Sequence, residues 1–317
     1  MSGGRGDAVR VRGVGKQYEL VSAVEGVDFA VPRGAVTALV GPTGAGKSTV
    51  LRIVLGLRSA GTGSVEVGER GPAAIGAVLS PRGLHPARTV RDHLWCHAPV
   101  AGVSRRRVDA VLAETGMSPL ADVVVAQLHP SQQTRLALAT ALLADPPLLV
   151  LDDLFAGADG VERGWLQALL RRHVDRGGTV LVSADTLADV VSAADQLVVL
   201  SEGSVVWQGT PAKLRRGHPD RLVVAAAPSI ALATALAAQG FTDAVMRPDG
   251  RLAVAEADEP TIRAIAEAAK VRIADIAADP IHPDRVLASL TKPRRHRHTT
   301  PAPAAYAPAP TSYGMPR

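Results

Sequence analysis

The stretch Gly41-Pro42-Thr43-Gly44-Ala45-Gly46-Lys47-Ser48-Thr49 carries residue types that grip phosphate. Its glycines let backbone N–H groups turn inward around anionic oxygens. Lys47 offers a point charge for β- and γ-phosphates, and Ser48 offers a hydroxyl to Mg²⁺. The spacing, a glycine, four residues, then Gly46-Lys47-Ser48, is that of a phosphate-binding loop. Read as an ordinary βα turn, the same stretch leaves the lysine and three glycines without a purpose. A nucleotide and Mg²⁺ are the expected ligands.

Such a loop needs a strand before it and a helix after it. Residues 36–40 are an apolar, β-branched run, and residues 50–57 have helical spacing. The helix aims its positive end at the anion. A second buried run, residues 148–151, ends in the carboxylates Asp152 and Asp153, and a third covers 179–183. Residues 9–31 alternate apolar and polar, with Gly13, Gly15 and Gly26 as turn residues, which predicts an antiparallel subsheet. Residues 83–147 are mainly helical, with Thr89 as an N-cap and Val90, Leu94 and Cys96 along one face. Arg105-Arg106-Arg107 there reads as a solvated face, and residues 187–194 read as a short helix. The alternation predicts an α/β fold with a mainly parallel sheet, an antiparallel β subdomain and a helical subdomain. Residues 221–290 follow as strand, helix, two strands, helix, strand, which predicts a small α+β ferredoxin-like unit. Residues 291–317, rich in Pro, Ala and basic side chains, predict a disordered tail.

Of the 317 residues 47% are hydrophobic but only 3% aromatic, so the core must be built from Ala, Val and Leu. The net charge of +5 sits largely in the tail, which makes it a poor sign of a nucleic-acid partner, and no direct nucleic-acid role is expected. Cys96, the single cysteine, excludes an intramolecular disulfide and reads as buried or silent. The N-terminus lacks a signal-peptide apolar region. The uncharged stretch 222–240 contains Pro228 and barely approaches the roughly 20 residues of a membrane span. A soluble protein is expected, held at a membrane only through another chain.

Over residues 8–215 the chain resembles the ATP-binding subunits of ABC transporters. The motifs that carry the resemblance are the loop Gly41 to Thr49, the acid-ended strand before Asp152, and the helix of residues 128–143 followed by Asp145-Pro146. The resemblance implies that Tyr18 stacks on adenine, that Ser48 and Asp152 hold the Mg²⁺ shell, and that Asp159 lies in the loop facing a dimer partner. It further implies an ATP-sandwich homo- or heterodimer, a separate membrane permease, and a place on the inner, cytoplasmic face of the cell membrane. The added C-terminal unit resembles the ATPases of bacterial drug exporters and ABC-2-type systems.

Four positions depart from the family pattern, and all concern hydrolysis. The family's glutamate general base is Asp153, one methylene shorter. A shortfall of about 1 Å costs on the order of 10²-fold in rate. The glutamine of the family's Q-loop is Ser80, and its switch histidine is Ala184. The signature loop reads Leu128-His129-Pro130-Ser131-Gln132 in place of Leu-Ser-Gly-Gly-Gln. Pro130 has no N–H for a partner's γ-phosphate, and Ser131 adds a Cβ at a close approach. His129 offers a ring N–H as a substitute, and Gln132 is retained.

These residues predict a subunit that binds MgATP and hydrolyses it slowly or not at all, driving or regulating a permease. Two alternatives stand beside it. One is a non-hydrolysing, nucleotide-dependent regulatory or scaffold protein. The other is a soluble ABC protein of ribosome or DNA function, which usually carries two ATP-binding units or a coiled-coil insertion, neither of them seen here.

Overall fold

The computed structural model describes residues 6–19, 21–68, 74–217, 221–255, 257–279 and 283–291. Its centre is a six-stranded sheet in the order β5-β6-β7-β3-β8-β9. The strands are β3 (Val36–Val40), β5 (Ile75–Val78), β6 (Leu148–Leu151), β7 (Thr179–Ala184), β8 (Gln196–Ser201) and β9 (Ser204–Gly209). All pair in parallel except β9, which turns back on β8 through Glu202-Gly203, both at positive φ.

The two-residue period of these strands divides the interior. Val36, Ala38 and Val40 enter one core with Leu149, Leu151, Val180 and Val182. Leu39 enters a second core on the other face with Leu148, Val150 and Leu181. Burial on both faces explains why these strands are almost wholly apolar, with Thr37, Thr179 and Ser183 as the exceptions. Each fully buried Val or Leu contributes roughly 1.5–3 kcal/mol.

The second core is shared with α1 (Lys47–Val54) and with a three-stranded antiparallel sheet, β2-β1-β4. Its strands are β1 (Asp7–Tyr18), β2 (Val21–Pro32) and β4 (Thr62–Val67). Gly13, Gly15 and Gly26 are not turns, as their type suggests, but lie inside these strands. Gly13 and Gly26 have φ of 55° and 58°, and the β1 register shifts occur around Gly13 and Gly15. They are bulges that let a long hairpin bend over the core.

The first core is roofed by α2 (Val90–Ala101), α3 (Arg105–Glu114), α4 (Pro130–Leu142) and α5 (Gly160–Asp175). Thr89 caps α2 by accepting the Asp92 N–H. Cys96 is exposed rather than buried, because two positions beyond Leu94 lies on the opposite side of a helix; Ala98 takes the buried place. Of the three arginines of α3, Arg105 and Arg106 are exposed, as a solvated face requires, but Arg107 is half-buried. Arg107 donates to the Leu142 and Leu143 carbonyls, satisfying the C-terminus of α4. Residues 187–194 form consecutive turns instead of the expected helix.

His93 of α2 is buried, and its Nδ1 has no partner. Its pKa is lowered to about 4 by burial first, then by the nearby charges of His97, Arg88 and His85. A neutral buried histidine stabilises the fold above the unfolded-state value near 6.5. That stability is lost as pH falls through 6.5 to about 4, amounting to about 3 kcal/mol. Denaturant titrations from pH 7 to 4 are expected to show this loss in the natural chain, and His93→Leu is expected to flatten it by that amount.

The third sheet, β11-β12-β10-β13, comprises β10 (Arg221–Ala227), β11 (Ala244–Met246), β12 (Leu252–Ala255) and β13 (Arg272–Asp279). It is antiparallel throughout, the ferredoxin-like order, with α7 (Ser229–Ala238) and α8 (Glu259–Ala268) closing a core of its own. The helix α9 (Pro283–Leu290) does not join that core. Its Val286 and Leu287 pack into the first core with Leu214 of α6 (Pro211–Gly217). Thr291, counted by composition with the tail, is tied to α9 through Leu287 O; residues 292–317 lie outside the described residues.

Candidate functional site

The parallel strands β3, β6 and β7 end side by side, and the residues just past their ends line one cavity of about 360 Å³. Thr43, Gly44, Gly46, Lys47, Ser48 and Thr49 form one wall, and Asp152, Asp153, Ser183 and Asp185 face them. Ligands of open parallel sheets bind at these carboxyl ends of the strands.

The loop's glycines answer to geometry. Gly44 and Gly46 have φ of 85° and 95°. A Cβ at Gly41 would fall 2.2 Å from Leu200 O, and one at Gly46 would fall 2.5 Å from Ala23 O. The chain therefore passes too close to β8 and β2 for any side chain. Ala45 is buried beneath the loop, and its N–H closes a turn on Pro42 O. α1 begins at Lys47 with no side-chain cap, leaving its first N–H groups free for an anion.

Lys47 is 7% exposed, and its Nζ donates to Gly41 O at 2.7 Å and Pro42 O at 2.9 Å. The same Nζ is 2.7 Å from Asp185 Oδ1. Thr43 Oγ1 donates to Asp185 Oδ2 at 2.9 Å. Asp185 lies beyond the strand end that carries Ala184. Burial pushes its carboxyl upward, but the hydrogen bond and charge of Lys47, with Thr43, hold it below the ordinary value.

Asp152 is 3% exposed, and its Oδ1 accepts from Ser48 Oγ at 3.0 Å and Ser183 Oγ at 2.8 Å. Its Oδ2 is buried with no partner. A buried carboxylate oxygen without a donor, beside a serine hydroxyl, fits a hard cation such as Mg²⁺. Asp153, at φ 54°, donates its N–H to Ser183 Oγ. Burial raises its pKa, and the charges of Asp185 and Asp152 raise it further against Arg82 and Lys47.

The other sequence-chosen positions are spread around this cavity. Ser80 lines it, and its carbonyl accepts from Arg52 at 2.9 Å. Ala184 is buried, and its carbonyl accepts from Gly41 N–H at 3.3 Å. Tyr18 stands exposed at the end of β1, with Lys16 Nζ 5.6 Å from its ring centre, outside the cavity lining. Asp159 is the N-cap of α5, its Oδ1 accepting from Glu162 N–H at 2.8 Å.

Leu128 is buried, while His129 to Gln132 open α4 at some remove from the cavity. His129 acts as the N-cap, with Nδ1 accepting from Ser131 N–H and Gln132 Oε1 accepting from His129 N–H. Gln132 is thus engaged in a capping box. α4 is clamped to α5 by Arg135, which donates through Nε and Nη2 to Glu162 and covers the face of Trp165.

Four cavity residues escaped the sequence reading as participants: Ala23, Arg52, Ser183 and Asp185. Ser183 and Asp185 flank the departure at Ala184, and their contacts reach 30 and 142 residues along the chain. Ser183 stands next to last in β7 and Asp185 just past it, and that place at the carboxyl end of a buried strand was the available signal.

A family model described as ABC transporter matches residues 24–156. A sulfate/thiosulfate import ATP-binding protein of Mycolicibacterium paratuberculosis is 37% identical over 225 residues, covering 66% of this chain and 62% of that protein. This chain therefore spans less than two thirds of that relative's length. The Nod factor export ATP-binding protein I of Bradyrhizobium diazoefficiens is 34% identical over 67% of this chain and 73% of its own. An aliphatic sulfonates import ATP-binding protein of Corynebacterium glutamicum is 34% identical over 67% of this chain and 89% of its own. A solved ATP-binding subunit of an ABC transporter superposes with a TM-score of 0.60 at 27% identity, over 66% of this chain and 92% of that one. Since the sulfonate relative is matched along nearly its whole length and the solved subunit shares the fold, the chain belongs to the family of ABC transporter ATP-binding subunits.

Proposed function

We propose that this chain binds MgATP between the loop Gly41 to Thr49 and the strand ends at Asp152, Asp153 and Asp185, and that it drives or regulates a separate membrane permease. The observation that carries this reading is the pairing of a glycine-shaped loop and buried Lys47 with the orphaned Oδ2 of Asp152. Ser48 and Asp152 would hold Mg²⁺, which when bound offsets phosphate charge. No described helix is long and apolar enough to cross a membrane; in this reading the transport path belongs to the separate permease, met at the inner face of the membrane. Residues 8–215 would be the nucleotide unit. The ferredoxin-like sheet would be an accessory unit moored to it by α9.

In this reading hydrolysis is weak. Asp153 carries a shorter carboxyl where a base is needed, Ala184 brings no polar side chain to the attacking water, and Ser80 brings only a short hydroxyl in place of a glutamine. The α4 N-terminus that would cap a partner's nucleotide is occupied by its own capping box, and Pro130 has no N–H. Importers and an exporter stand among the relatives at similar identity, so identity decides no direction of transport.

Calorimetric titration of the full chain is expected to give micromolar to submillimolar MgATP binding, with turnover well below 1 s⁻¹ in steady state. Absence of binding sinks the reading. Turnover near 1 s⁻¹ leaves binding intact but removes the claim of weak hydrolysis.

A further inference from the structure

In a cavity built for anions, the best-placed cationic group is already occupied by an anion of the protein itself. Lys47 Nζ meets Asp185 Oδ1 at 2.7 Å, and Thr43, inside the same loop, donates to Asp185 Oδ2 at 2.9 Å. Both donors belong to the wall that phosphate would face. Lys47 is buried, whereas the Asp185 side chain is about half exposed, so the aspartate is the partner able to leave. Asp185 is also the third carboxylate of the cavity, with Asp152 and Asp153. Added negative charge on that side meets repulsion little screened within a partly enclosed site.

The two ends of a polyphosphate feel this differently. Inner phosphates lie against the loop N–H groups and the α1 N-terminus, which attract them. A terminal phosphate reaches towards the residues past the strand ends, where Asp153 and Asp185 stand, and draws on the Lys47 ammonium that Asp185 holds. We infer that Asp185 is a built-in competitor of the terminal phosphate for Lys47, and that it shifts the site's preference from nucleoside triphosphate towards diphosphate. This rests on the nucleotide reading of the cavity. Asp185 is here a positioning residue: it acts on the ligand through Lys47.

Titrating the full chain with MgATP and MgADP tests it. Asp185→Asn keeps the shape and removes the charge. It is expected to tighten MgATP about tenfold and MgADP less than threefold. Asp185→Glu, which restores the charge, is expected to return the ratio of the two affinities to within about twofold of the natural chain. Asp185→Ser frees Lys47 through a smaller side chain and is expected to reproduce the change in ratio should the asparagine variant fold poorly. Equal or weaker MgATP binding by both uncharged variants overturns the inference, because Asp185 then serves to hold the loop in its binding shape. Failure of the natural chain to bind either nucleotide overturns the reading of the site instead.

Discussion

Lys47→Met is expected to weaken MgATP binding about 100-fold while leaving the fold in place. Methionine keeps most of the stem and removes the charge. A bare Coulomb estimate for unit charges at about 4 Å gives roughly 4 kcal/mol at an effective dielectric near 20. The net effect is smaller, since binding must first part Lys47 from Asp185 at 2.7 Å and loosen its bonds to Gly41 O and Pro42 O. A loss of about 2.7 kcal/mol is a factor of 100. Thermal melting gives a second measure. At a ligand concentration 100 times Kd, binding stabilises a protein by about 2.7 kcal/mol. The natural chain is expected to show that upward shift with MgATP, and the variant almost none of it at the same concentration. A variant that retains affinity within threefold would mean the loop N–H groups alone carry the phosphate.

The parts of this molecule that could be read from sequence share one property: their determinants lie close together along the chain. The loop is nine consecutive residues whose spacing is itself the geometry. Strands β3, β6 and β7 were legible because burial on both faces makes them mostly apolar, with only Thr37, Thr179 and Ser183 as polar exceptions. The order of the ferredoxin-like unit followed from its hairpin turn and helix periods. What failed depended on partners elsewhere. Whether Gly13 is a turn or a bulge depends on the strand opposite it, where Asp28 Oδ1 accepts the Gly13 N–H. The duty of Arg107 was set by carbonyls 35 and 36 residues away. The helix α9 has an apolar face that would suit either core, and only the folded chain assigns it to the first. Asp185 is the clearest case. Nothing near it in sequence announces a lysine, and the pairing exists because parallel strands β3 and β7 are neighbours.

The departures from the family pattern are expected to act as one block, so repair must cross the dimer to be seen. Asp153→Glu alone extends the carboxylate by about one bond and addresses the misplacement, worth up to on the order of 10²-fold. Yet in the proposed sandwich each nucleotide is also closed by the α4 N-terminus of the partner, where Pro130 and the His129–Ser131–Gln132 box leave few free donors. Pro130→Gly returns an N–H at the first helical position, and Ser131→Gly removes both the Cβ and the hydroxyl bound to His129. The positions are exposed or half-buried, so their substitution opens no core cavity, and each glycine in the first turn of α4 costs at most about 1 kcal/mol. Groups that act together at a reacting centre contribute non-additively. Asp153→Glu by itself is therefore expected to raise phosphate release less than tenfold, and the triple variant about 100-fold. Ala184 sits differently. Its methyl belongs to the buried first core with Val180 and Val182, so a histidine there overpacks the end of β7 at about 1–3 kcal/mol. That leaves the glutamate and the two glycines as the repair that separates a catalytic deficit from a structural one. A triple variant that binds MgATP as the natural chain does and still releases no more phosphate would place the block at Ser80 and Ala184, where a short hydroxyl and a methyl stand in place of a glutamine and a histidine.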